Sequence, residues 1–556
     1  MRYDLMSLNP QPGYTVPAET AKVAKAIFTK GNLCITMADR LDSFVSDQDF
    51  STLFSHQGQP GVSPVRLALV TILQYIEGLT DRQAADAVRS RIDWKYLLCL
   101  ELTDKGFDHT VLSEFRTRLI AQQAESLVFD QLLSWCQQQG WLQARGRQRT
   151  DSTHVVATIR AVTRLECAGE TLRAALNALA VVAPAWLQAQ SQPEWIERYS
   201  ERMEDYHLPT SKAAREEQAH VYGEDGKQLL DAIFDGHSPE WLQQVPAVET
   251  LRRVWVQQYY VCNNEIYWRT EQGIPPATLM ISSPYDLDAH YSKKNTTSWV
   301  GYKVHLSETC EPNSLHLITN VETTAAPIAD GDVTEAIHTS LANKDLLPSK
   351  HIVDTGYLDA ELLVTAQQEH QVQLLGPTRS DLRWQSKAGN GFAASDFKVD
   401  WQQEVAICPE GKTSTSWTPA IDGRNNEVIK IKFARADCAN CPSLHLCTRT
   451  KEKRRLVTLR PEAQYKALQA ARKQAMTDEY KADYARRAGI EATLSESIRA
   501  HGLRHARYIG LAKTHLQHLM TATAINFKRI FHWLSGIPQA TTRTSQFAKL
   551  MAQSVG

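Results

Sequence analysis

Three acidic residues stand out by their surroundings. Asp151 sits in Arg149-Thr150-Asp151-Ser152-Thr153-His154-Val155-Val156, a run whose Thr, Ser and β-branched residues predict a strand. Asp354 ends His351-Ile352-Val353-Asp354 and is followed by Thr355-Gly356-Tyr357. A carboxylate at a strand end, before a glycine turn, is placed to face a cleft at the sheet edge. Glu491 lies in helix-forming sequence flanked by Arg486, Arg487 and Arg499. Hard divalent cations prefer carboxylate oxygens. Two such cations about 3.5–4 Å apart can activate an attacking oxygen and stabilise a leaving one. Basic neighbours would hold phosphates. Taken singly, an aspartate at a strand end is more often a turn or cap residue, so the chemistry depends on the three meeting. Glu496 is the nearby rival to Glu491, and Asp286 and Asp288 precede a strand without motif support.

A second set is made of sulfur. Cys408-Pro409-Glu410-Gly411-Lys412 is followed at a distance by Cys438-Ala439-Asn440-Cys441 and then Cys447. Two thiolates at C-x2-C spacing can grip one zinc ion, and Cys408 and Cys447 would complete four ligands, with His445 as an alternative. Pro409 and Gly411 favour a tight knuckle. Strands expected at Glu404–Ile407 and Glu427–Phe433 would suit a zinc-ribbon-like module with a structural metal. The other six cysteines (Cys34, Cys99, Cys136, Cys167, Cys262, Cys310) are scattered and read as buried thiols in a reducing compartment.

The elements that must position these groups follow from patterning. Ser63-Pro64 opens a helix that Gly78 ends; Thr80 caps the next, and Thr110 another. Short helices with tight turns are compatible with helix-turn-helix DNA binding, and equally with a plain helical bundle. Residues 160–270 predict charged helices rich in Trp and Tyr. Strands are expected at Trp299–Ser307 and Leu315–Thr323. A helix near Val333–Leu341, the strand of Asp354, a helix at Ala360–His370 and a further strand follow, a mixed α/β order. Long helices are expected from Pro461 to Arg499 and from Arg507 to Leu534.

With 556 residues and 43% hydrophobic content, the chain can bury a large core in several domains. Its first residues lack the pattern of a signal peptide. The most apolar stretch, Asn177 to Leu187, is far short of the ~20 residues that span a bilayer, so no membrane association and a cytoplasmic location are expected. The net charge of −1 hides an asymmetry. From Ile431 onward there are 22 Lys and Arg against 8 Asp and Glu, a net of +14, and the preceding 430 residues carry −15. A basic C-terminal third suggests a polyanionic partner; the alternative is a basic domain balanced by an acidic one.

From about Ser55 to Arg529 the chain resembles bacterial insertion-sequence transposases of the DDE type. Thr150-Asp151-Ser152-Thr153 is similar to the family's first Asp strand, and Val353-Asp354-Thr355-Gly356-Tyr357 to its second. Tyr484, Arg487 and Glu491 match the first three positions of the signature Tyr-x2-Arg-x3-Glu-x6-Lys; Ile498 stands at the Lys position and Arg499 is one residue late. Lys and Arg are not equivalent there. The resemblance implies an α/β, RNase H-like mixed-sheet core whose catalytic residues are Asp151, Asp354 and Glu491, holding two Mg2+ or Mn2+ ions. It implies DNA contacts from Tyr484 and Arg487, with Arg499, Lys513 and Lys303 as further candidates. Gly301-Tyr302-Lys303 resembles the second core strand, and Gly510 to Asn526 the closing helix.

The organisation then expected is a helical DNA-end-binding region (1–141), the first core strand (142–160), a helical insertion (161–280), the core continued (281–377), the cysteine-bearing insertion (378–460), C-terminal core helices with Glu491 (461–536) and a loose tail (537–556). The activity implied is cleavage at the terminal inverted repeats of an element and joining of 3′-hydroxyl ends to target DNA. A homodimer on paired ends, associated with the nucleoid, is expected. The rival readings are an RNase H-like nuclease without strand transfer and a domesticated DNA-binding protein.

Overall fold

The computed structural model describes residues 6–538, apart from 9, 11–12, 41–43, 56–57, 205–207, 271–272 and 382. Most of the expected tail lies outside the described residues. At the centre is a six-stranded mixed sheet: β1 (Arg147–Val156), β2 (His290–Lys294), β3 (Thr297–Thr309), β4 (Ile318–Ala325), β5 (Lys350–Ile352) and β6 (Gln373–Leu375). The order is β6-β5-β1-β3-β2, with β4 also on β3. β1, β3 and β4 pair antiparallel, whereas β5 and β6 run parallel to β1. This mixed α/β arrangement is consistent with an RNase H-like core.

Helices cover the sheet: α1 (Pro64–Glu77), α2 (Thr334–Asn343), α3 (Ala360–Glu369), α4 (Asp478–Ala485), α5 (Ala488–His501) and α6 (Leu511–Leu534). Two of the three expected caps fall where the sequence placed them, whereas Thr110 is itself the first residue of its helix and donates to Asp108 instead of capping. The Ser63 hydroxyl accepts from Arg66 N at the start of α1, and Gly78 closes it in the left-handed conformation at φ 70°. Thr80 and Gln83 form a reciprocal cap on the following helix, Asp81–Ser90. The helix read as continuous from Pro461 is three: Glu462–Gln474, α4 and α5. Thr477 interrupts the first junction because its side chain caps α4 at Tyr480 N.

The N-terminal helices are not a separate body. One apolar cluster joins Leu67, Phe129 and Trp135 to Val304 and Leu306 of β3 and to Leu519 and Phe527 of α6. Helix α6 is also tied to β4 by polar contacts: Asn526 Oδ1 accepts from Ile318 N and its Nδ2 donates to Ile318 O, both at 2.8 Å. The helical insertion has its own core around Leu172, Leu251 and Trp255. It ends in a hairpin, Tyr259–Cys262 with Glu265–Trp268, within the 160–270 stretch whose sequence predicts helices. Asn263 and Asn264 turn it with positive φ of 50° and 66°. Cys262 is exposed there and Cys99 is only partly covered, so two of the six scattered thiols depart from the expected burial.

The cysteine-bearing segment also differs from expectation. Val405–Ile407 pairs with Lys398–Asp400, but Glu427–Lys432 lies between Ser416–Ile421 and Leu456–Leu459. The two strands expected to flank one zinc module belong to different sheets, because Leu456–Leu459, absent from the sequence reading, takes the free edge of Glu427–Lys432.

A buried charge cluster locks α5 and α6 to the sheet. Glu308 lies directly across from Arg149 in the β1–β3 register and has no exposed surface. It accepts from Arg149 (2.6 Å), Arg529 of α6 (2.9 Å) and Thr493 of α5 (2.6 Å). Burial alone would raise its carboxyl; Arg529 and Arg149 outweigh that and hold it below the usual value. Arg149 also donates to Arg486 O, and a Cβ on Gly489 would lie 2.1 Å from its Nη1, so only glycine admits this approach. Replacing Glu308 by Leu leaves buried Arg149 without its carboxylate and Arg529 with only Glu496, and should destabilise the fold by about 3–5 kcal/mol in chemical denaturation. Because the folded value is depressed, the stabilisation is present above the unfolded carboxylate range and is lost as pH falls through the folded one. A variant with an unchanged denaturation midpoint would show that the cluster is dispensable.

Candidate active site

The β1–β5 register sets the first two carboxylates. Arg149 pairs with Ile352 in parallel strands. Asp151 and Asp354 each lie two residues further on, so the alternation of strand side chains brings them to the same face. Thr150 and His351 point to the opposite face, where their side chains meet at 2.6 Å. Asp354 also serves as a turn residue: its Oδ1 accepts from Gly356 N at 2.7 Å and caps the turn Thr355–Tyr357. Asp151 Oδ1 accepts from its neighbour Ser152 N at 2.8 Å.

The third carboxylate comes from the junction of α4 and α5. The signature residues do not share one helix: Tyr484 is near the end of α4, Arg487 is at the break and Glu491 is in the first turn of α5. Arg487 Nη2 contacts Asp151 Oδ2 at 2.7 Å and its Nη1 contacts Glu491 Oε1 at 2.9 Å. One guanidinium therefore bridges the strand carboxylate and the helix carboxylate. The Asp151 and Arg487 side chains are 15% and 14% exposed, whereas Glu491 is 63% exposed. Burial raises the Asp151 carboxyl and the charge of Asp354 adds to this; Arg487, the Ser152 N–H and Lys294 oppose it. The Tyr484 ring stacks on Tyr480, with centroids 5.7 Å apart and planes at 9°. Burial keeps its phenol protonated, and Asp354, Asp151 and Glu491 act in the same direction.

Two further residues approach this end of β1 from other elements. Asp330, in the turn Asp330–Val333, accepts from Ser152 Oγ at 3.3 Å and from Lys303 Nζ at 3.0 Å. A Cβ built on Gly356 would meet Asp354 Oδ1 at 2.9 Å and Asp330 Oδ2 at 3.1 Å, so both carboxylates crowd the same glycine. Lys294 of β2 contributes positive charge toward Asp151. Neither was legible as a site residue, since Asp330 sits in a loop run, Ala329-Asp330-Gly331-Asp332, that reads as an ordinary turn. Lys303 is held internally by Asp330 and Ile328 O.

The remaining basic candidates lie elsewhere. Arg499 is exposed, about 12 Å along the α5 axis from Glu491, while Ile498 packs against the main core. Lys513 is exposed on α6 and borders a cavity with Arg116 and Tyr508. The donor set of Asp151, Asp354 and Glu491 is all carboxylate oxygen, which suits Mg2+ or Mn2+.

Cys408, Cys438, Cys441 and Cys447 line one cavity with Phe392 and Phe433. Lys412 N donates to Cys408 Sγ at 3.3 Å across the turn that Gly411 closes at φ +78°. Burial pushes the Cys447 thiol up to about 11; Arg455 opposes, and Cys438, Cys408 and Cys441 add to the rise. His445 is not among the residues that border the cavity.

Replacing Arg487 by Gln removes the main charge holding Asp151 down. The Asp151 titration, followed by carboxyl-carbon NMR, should therefore move to higher pH. A titration that stays in place would mean that the Arg487 bridge does not form in solution.

Comparison with known families bears on both ends of the chain. Residues 407–531 match a family model described as a transposase DDE domain. Residues 22–118 match one described as a transposase domain (DUF772). The first segment includes the four clustered cysteines, Tyr484, Arg487 and Glu491; Asp151 and Asp354 lie outside both. No curated protein sequence matches the chain. The two matches together support a DNA transposase in general.

Proposed function

We propose that this chain is a DNA transposase that cleaves the ends of an insertion sequence and joins the freed 3′-hydroxyls to target DNA. Asp151, Asp354 and Glu491 are its catalytic carboxylates and the ligands of two Mg2+ or Mn2+ ions. The observation that supports this reading is the placement of Asp151 and Asp354 on one face of a parallel strand pair, with Arg487 linking Asp151 to Glu491. When bound, the cations supply activation of the attacking oxygen and neutralisation of charge at the phosphate.

The protein groups have separate tasks. Arg487 neutralises Asp151 and Glu491; were cations held by these carboxylates, its planar fork would suit a phosphate beside them. Tyr484, kept protonated, donates to a phosphate oxygen from a ring fixed against Tyr480. Lys303 acts through Asp330 rather than on DNA. Arg499 and Lys513 are exposed and serve as backbone contacts for DNA away from the reacting phosphate, as the basic C-terminal third requires. The N-terminal helices, within 1–141, bind the element ends, and two copies act on paired ends.

The cysteine segment is a structural zinc module with Cys408, Cys438, Cys441 and Cys447 as ligands. Four thiolates leave no open coordination position, so this metal takes no part in the chemistry. Among the described residues no helix is long and apolar enough to cross a membrane.

The test uses DNA carrying paired element ends and a target plasmid with Mn2+. Asp151→Asn, Asp354→Asn and Glu491→Gln should each lower cleavage and joining by about a thousandfold or more, several kcal/mol of transition-state stabilisation. End binding should persist. Cleavage without joining by the parent chain would favour the nuclease reading, and retained activity in the variants would remove these carboxylates from the chemistry. Separately, Cys438→Ser should lower bound zinc by one equivalent and open residues 378–460 to proteolysis; unchanged zinc content would refute the four-cysteine site.

A further inference from the structure

On the sheet face opposite the three carboxylates lies a cluster of histidines that the proposed reaction does not use. Glu335 and His338 are three residues apart on α2, one turn and on one side. His370 follows the last residue of α3. One potential ligand atom from each of Glu335, His338 and His370 lies within 4.8 Å of the others. His370 Nε2 is 2.6 Å from Glu335 Oε1, and the His338 and His370 ring centroids are 5.3 Å apart.

His338 is fully buried, and its Nδ1 has no hydrogen-bond partner. An unsatisfied buried nitrogen is costly, about 1–3 kcal/mol, and calls for an explanation. The other ring nitrogen is engaged. His338 Nε2 is 2.9 Å from His351 Nδ1, His351 Nε2 is 2.6 Å from Thr150 Oγ1, and Thr150 Oγ1 is 2.6 Å from Ser307 Oγ. If each nitrogen passes its proton along this chain, His338 Nε2–H donates to His351 and His351 Nε2–H donates to Thr150. His338 Nδ1 is then a bare lone pair on a ring that lies beside Glu335 and His370. A histidine that ligates through one nitrogen and donates a fixed hydrogen bond through the other is the usual arrangement at a metal. Burial pushes the His338 imidazole down to about 4, so it is neutral at physiological pH, the form that ligates.

We propose that Glu335, His338 and His370 form a binding site for a divalent transition-metal cation such as Zn2+. Two imidazoles and one carboxylate suit zinc and its neighbours rather than Mg2+ or Ca2+. The Glu335 side chain is 47% exposed and that of His370 is 13% exposed, so the site is reached from solvent and leaves a coordination position for water. The cation replaces the Glu335–His370 contact and satisfies His338 Nδ1. Through His351 and Thr150 it fixes the strands immediately ahead of Asp354 and Asp151. The site is distinct from both the carboxylate site and the cysteine cavity.

The test uses the full chain, stripped with a chelator, reloaded with Co2+ or Zn2+ and freed of weakly held metal. Parent protein should retain one more equivalent than His370→Ala or Glu335→Ala. The Co2+ it retains at this site should show a nitrogen- and oxygen-coordinated spectrum without thiolate charge-transfer bands. Its thermal midpoint should rise on loading by more than that of either variant. Both substitutions are on the solvent side, so the fold is not put at risk by emptying the core. Equal metal content and an identical Co2+ spectrum in parent and His370→Ala would overturn the proposal.

Discussion

Glu308 has no exposed surface, yet four segments separated widely in sequence meet on it: β1 through Arg149, its own strand β3, α5 through Thr493 and α6 through Arg529. A buried carboxylate is tolerated only where cations and donors surround it. This one is answered by two guanidiniums and a hydroxyl. The consequence is geometric. Glu491 is on a helix joined to the rest by a broken helical run, and at the start of that helix Arg487 ties it to β1 through Asp151. Arg149 does so twice over, by pairing with Glu308 and by holding Arg486 O at the start of the break. The polar core is thus what makes a carboxylate from a C-terminal helix meet one from the first strand.

The site itself is organised by repulsion as much as attraction. Asp151, Asp354 and Asp330 crowd one strand end, and burial disfavours charge on Asp151. Without cations, Arg487 and Lys303 carry the compensation: Arg487 spans Asp151 and Glu491, and Lys303 takes Asp330. Such a constellation is poised for exchange, since small divalent cations could take over the role of a flexible guanidinium. Lys303 differs in being enclosed between Ile328 O and Asp330, which suits a fixed support better than a group that leaves.

Much of this was legible in the sequence, and the reasons are local. Asp151 and Asp354 sit in β-branched runs beside turn chemistry, and strand periodicity with one register pair puts them on one face. Caps at Ser63 and Thr80 are short-range hydrogen-bond patterns and fell where expected. The C-x2-C spacing drew the cysteines together, and they border one cavity. What the sequence hid depends on tertiary choice. Asp330 is a loop residue until β1 and β3 bring Ser152 and Lys303 to it. Glu427–Lys432 had two edges to offer, and nothing in its own residues says that Leu456–Leu459 takes one of them. Cys262 reads like any other isolated thiol until the Asn263-Asn264 turn lifts it into solvent. The packing across position 141 was equally hidden, because the apolar faces of the N-terminal helices meet α6 and β3 as well as one another.

That continuity bears on how DNA binding could reach the chemistry. Helix α6 packs on α1 and also on β4, and Asn526 fixes it to the backbone at Ile318. The same helix sends Arg529 into the Glu308 cluster. A load placed on the N-terminal helices is therefore carried by α6 to the residues that set the position of α5. The path runs through close-packed side chains and charge pairs, which resist gradual deformation. That load would arrive at the junction between α4 and α5, where Arg149 holds Arg486 O and Arg487 has one hydrogen bond to each carboxylate. Coupling between an occupied DNA end and the approach of Glu491 to Asp151 would act at that junction, because the elements on both sides of it are held.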